Sequence, residues 1–118
     1  MNIYYFIGWT HDEFRLYVNK NYDLGEAEGS KAMGRTVMLL SDAGQTFIWV
    51  KKKNDLETLV HECVHAANWI TDRAGYKLDH MNDEPYAYLV MNIFRQARLK
   101  SELSKLEEYK WKYEELCK

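Results

Sequence analysis

Two histidines, His61 and His65, stand four residues apart in the stretch HECVH, with Glu62 directly after the first. Residues four apart on a helix share a face, so both imidazoles can point at one ion. Zinc, bound by nitrogen at about 2.0–2.1 Å, suits that spacing. Glu62 is turned by about 100° from His61 and projects beside such an ion, where it could take a proton from an activated water. The competing reading is an amphipathic helix whose histidines face solvent or pair with carboxylates. A catalytic zinc takes three protein ligands and leaves one position open, so a third ligand separates the two readings. Glu84, nineteen residues beyond His65, is the leading candidate. Asp79, His80 and Asp83 compete with it. His11 is distant in sequence and is expected in the first turn of a surface helix.

Elements must position these groups. NIYYFIGW is aromatic and β-branched and predicts a first strand. Thr10 and Glu13 have capping-box spacing, which starts a short helix over THDEFRLYVNKNY. DLGEAEGSKAMG predicts a loop, and RTVMLL and TFIWV, joined by SDAGQ, predict a β-hairpin. After Lys53 the pattern becomes helical, with Asn54 and Glu57 at capping spacing and Gly75 as the stop. Leu56, Val60, Cys63, Ala67 and Ile70 form the expected buried stripe, and His61, His65, Asn68 and Asp72 a polar one beside it. A further helix is expected from Asn82 or Asp83, with Pro85 in its first turn. In it Ala87 and Tyr88 share a face with Glu84, the small residue allowing close approach to the first helix. The last stretch, about residues 98–118, alternates in charge and carries Leu99, Leu103, Leu106, Tyr113 and Leu116 on a narrow stripe. It suits packing back on the domain or joining a partner chain or second copy.

H-E-x-x-H, a spacing of about one helix and loop, then Glu with Ala-Tyr following, resembles the gluzincin arrangement of thermolysin-like metallopeptidases. The short length is similar to that of the minigluzincins, small zincins of the kind bacteria and phages encode. The resemblance covers roughly Thr46 to Phe94. It implies an α+β fold, with a short twisted sheet packed on an active-site helix and a second helix offering a ligand. It implies one zinc per chain on His61, His65 and Glu84, Glu62 as general base, and Tyr88 as an aid to the oxyanion, an orienting group or a packing residue. A peptide substrate would lie extended along an edge strand of the hairpin. Thermolysin-like enzymes place an acidic residue four after the third ligand; here Tyr88 stands there, so the groups orienting the histidines are unassigned, with Asn68 and Asp72 as candidates. A zincin-like protein acting by protein–protein contact without proteolysis is the alternative function.

Composition bounds these readings. The 118 residues make one domain, 1–118, with room for a single modest core. A net charge of −2 gives no general pull toward nucleic acid or acidic membranes. The run Lys51–Lys53 is expected to be a solvated tip, Trp49 and Trp69 core or rim residues, and nothing singles out Arg35. Cys63 and Cys117 form no C-x-x-C pair and are expected as reduced thiols. No apolar run approaches the ~20 residues that cross a bilayer, and no basic segment precedes the N-terminal apolar run, so a cytoplasmic protein is expected.

Overall fold

A run of five buried residues, Thr46 to Val50, makes the strand QTFIWV apolar on both faces, which suits only a central position. The computed structural model describes residues 2–29, 31–39 and 45–116, with side chains described through Ser101. In it β1 (Ile3–Ile7) lies parallel to β3 (Gln45–Val50) and β2 (Gly34–Leu39) antiparallel to it, in the order β1-β3-β2. β2 is therefore the outer strand of the expected hairpin; its connection, residues 40–44, lies outside the described residues.

α1 (His11–Tyr22) opens on the expected capping box. The Thr10 hydroxyl accepts from the Glu13 N–H at 3.1 Å, and the Glu13 carboxylate accepts from the Thr10 N–H at 3.0 Å. α1 covers one face of the sheet, where Phe14 and Val18 meet Phe6, Phe47 and Trp49. α2 (Leu56–Arg73) and α3 (Glu84–Leu116) cover the other, against Ile48 and Val50. The result is a small α+β fold of three strands and three helices.

Three expectations shift. The α2 cap is Asp55, one residue later than predicted, because its carboxylate accepts both the Thr58 N–H, at 3.1 Å, and the Thr58 hydroxyl, at 2.5 Å. The buried stripe of α2 is Leu59, Glu62, Cys63, Ala66 and Ala67; Leu56 and Val60 are half exposed. The two expected C-terminal helices are one helix of 33 residues. Its core face carries Tyr86, Val90, Ile93 and Ala97, so Ala97 rather than Ala87 is the small residue that α3 puts in the core. Gly75 does end α2: it takes a positive φ of 73°, its N–H donates to the Asp72 carbonyl, and that of Tyr76 to the Thr71 carbonyl. No helix among the described residues is long and apolar enough to cross a membrane.

Candidate metal centre

α2 meets the outer strand closely because position 34 has no side chain. A Cβ there would stand 2.6 Å from the Thr58 methyl and 3.2 Å from Cγ of Glu62. With the helix this near, Thr36 of β2 reaches Glu62: its hydroxyl donates to the carboxylate at 2.5 Å and lies 3.0 Å from the Glu62 carbonyl oxygen. Glu62 is only 6% exposed. Its neighbour Cys63 is fully buried, and burial, helped by the charge of Glu62, pushes the thiol up to about 12. Cys63 is an inert core thiol; Cys117 lies outside the described residues.

His61 and His65 lie one turn apart on the exposed side of α2. Their Nε2 atoms are 3.1 Å apart, with the rings edge to face. Two nitrogens on one tetrahedral zinc at 2.0–2.1 Å would lie about 3.3 Å apart, so the pair fits as two ligands of a common ion. An open cleft of about 380 Å³, lined by Met33, Gly34, Glu57, Thr58, His61 and Glu62, lies beside it. A more apolar hollow of about 410 Å³ follows at Met38, Trp69, Asp72 and Arg73. Both lie between α2 and the β2 side of the sheet.

The other candidates fall elsewhere. Among the described residues no third His, Cys, Asp or Glu joins the histidine pair. Glu84 and Tyr88 are exposed, Tyr88 to 58%, on the side of α3 away from its core face. The Asp79 carboxylate is occupied by the Met81 N–H at 2.8 Å, a turn that Asn82 reinforces by accepting from the Asp79 N–H. His80 and Asp83 are exposed in the same segment, as are Asn68 and Asp72 on α2. His11 stacks edge-on against Trp49, on the α1 face of the sheet and away from α2. Arg35 pairs with Glu26 at 2.9 Å.

Sequence reasoning missed Gly34 and Thr36. Strand alternation was the signal that could have found them, since it sends Gly34, Thr36 and Met38 to one face and Arg35, Val37 and Leu39 to the other. No family model, curated protein or solved structure matches the chain.

Proposed function

We propose that the chain is a small zinc-dependent metallopeptidase of the gluzincin kind. The observation that carries this reading is the convergence of His61 Nε2 and His65 Nε2 to 3.1 Å on the helix that also carries Glu62, with His61 and Glu62 lining one cleft at the outer strand. His61 and His65 would hold the metal, with Glu84, the first residue of α3, as the third ligand; zinc there would supply Lewis acidity. Glu84 lies on the outer side of α3, so its approach requires the first turn of α3 to unwind as the 74–83 connection moves; the side-chain hydrogen bonds of that connection are local to it. A peptide lies extended along the free edge of β2, its side chains toward the two hollows. Glu62 takes the proton of the attacking water and passes it to the leaving amine. Tyr88, 58% exposed on the outer side of α3, would aid the oxyanion only with that first turn unwound as for Glu84.

Metal analysis and a cleavage assay test the reading together. The wild type is expected to hold one zinc per chain, Glu84→Ala much less. Glu62→Gln is expected to keep its zinc and cleave an unfolded protein substrate roughly 10²–10⁴-fold more slowly. Full retention of zinc by Glu84→Ala would move the third ligand to His80 or an aspartate. The non-proteolytic reading, a metal-binding protein that acts by contact, draws on Glu62 being engaged by Thr36. Biological activity that survives Glu62→Gln unchanged would select it.

A further inference from the structure

α3 carries two apolar stripes on opposite sides. The first, with Tyr86, Val90, Ile93 and Ala97, packs into the domain. Its continuation at helical spacing is Ser101, Ser104, Glu108, Trp111 and Glu115, so beyond Ala97 this side is polar but for Trp111. The second stripe is rotated by roughly half a turn. Tyr88, Met91 and Leu99 on it are 58%, 42% and 52% exposed. By register Leu103, Leu106, Lys110 and Tyr113 continue it at alternating spacings of four and three, the seam of a two-helix coiled coil.

We infer that this seam joins a second copy of the chain, with the two α3 helices antiparallel over about residues 99–116. Charge decides both occupant and orientation. In a parallel pair Arg95 meets Lys100 and Glu102 meets Glu107 of the other copy, each contact occurring twice, and Lys110 faces Lys110. Antiparallel, Lys100 meets Glu114 twice, Lys110 lies against Leu106, and a single Glu107–Glu107 contact remains. Leu103 then sits opposite Tyr113. The described part of the stripe, Tyr88, Met91 and Leu99, is exposed and lies opposite the core-facing side of α3, so the described core stays unchanged on association. A single pair of short helices falls at the low end of stable interface sizes, which makes the dimer reversible and dependent on concentration.

Sedimentation of the full chain over roughly 1–100 μM tests this. The expected result is a rise from the 14.1 kDa of one chain toward twice that mass. Leu103→Glu with Leu106→Glu should hold the chain at one copy while its melting temperature stays that of the wild-type monomer, since neither position belongs to the core-facing stripe. Orientation is read in a Cys117→Ser background carrying Leu103→Cys and Tyr113→Cys. Mild oxidation should link position 103 of one copy to 113 of the other. A chain that stays single at every concentration overturns the proposal, as does a dimer indifferent to the two glutamates. Links of 103 to 103 and 113 to 113 overturn the antiparallel arrangement.

Discussion

A carboxylate set between a helix and a sheet is tolerated only where a donor meets it, and for Glu62, 6% exposed, that donor is the Thr36 hydroxyl at 2.5 Å. Thr36→Val keeps the shape of the side chain and removes the donor, leaving the carboxylate unsatisfied. A loss of roughly 1–3 kcal/mol in denaturant unfolding is expected. Glu62→Gln retains an acceptor oxygen for Thr36 and should cost less. Cys63 gives a pH signature of its own. Its thiol is held at about 12 when folded, against about 8.5 in an unfolded chain, so unfolding releases a proton between those values. Stability from this group is therefore complete below about pH 8.5 and falls as pH rises toward the folded value, by at most about 1.4 kcal/mol per pH unit. Tyr5, raised by burial and by Cys63, acts in the same direction at higher pH. Unfolding free energies measured between about pH 8.5 and 10 should decline in the wild type and flatten in Cys63→Ala. The histidine pair and Glu62 were legible in the sequence because their relation is fixed within one helix, by spacing alone. The partnership of Glu62 with Thr36 was not, because it depends on the register and distance between two elements far apart in the chain.

Element boundaries were legible where a side chain closes on its own backbone. Thr10 with Glu13, and Gly75 with its positive φ, stand where their local chemistry puts them. The α2 cap moved by one residue because Asp55 satisfies two groups of Thr58 at once, which capping-box spacing does not register. The rotation of α2 and α3 about their own axes was less legible, since several apolar stripes compete on each helix and tertiary packing chooses among them. For α2 the choice of Leu59, Cys63 and Ala66 follows from its approach to β2 at Gly34. For α3 the choice of Ile93 and Ala97 puts Glu84 and Tyr88 outward. Gly34→Ala tests the first of these directly. The new methyl would meet the β-branched Thr58 at 2.6 Å and the Trp49 carbonyl at 3.0 Å, neither of which can swing clear as a long side chain would. We expect α2 to be pushed off β2, at a cost of about 1–3 kcal/mol in thermal or denaturant unfolding. The Thr36–Glu62 hydrogen bond should lengthen with it, so Gly34→Ala and Thr36→Val should be less than additive when combined.

At the scale of the molecule, β3 is shared by two core clusters. Phe47 and Trp49 belong to the α1 side, Ile48 and Val50 to the side of α2 and α3. The α+β class was legible because strand and helix periodicities alternate cleanly along the chain, while the central place of β3 showed only as an unbroken apolar run. The overall shape was not foreseen, since a charge-rich amphipathic segment can fold back or continue straight with the same composition. A helix of 33 residues is about 50 Å long. It accounts for the longest extent of 58 Å in a body otherwise 31 × 26 Å. Among the described residues the core-facing stripe of that helix ends at Ala97, its first half holding the domain together. A chain ended after Ser101 keeps every residue of that described cluster and should therefore melt cooperatively within a few degrees of the full-length monomer. One ended after Leu89 removes Val90, Ile93 and Ala97 from the cluster around Ile48 and Leu59. Loss of Ile93 alone costs about 2–5 kcal/mol, a large part of the stability of a domain this size. The shorter chain should fail to give a cooperative transition by circular dichroism. Equal melting of both truncations would place the core of the protein elsewhere than between β3, α2 and the first half of α3.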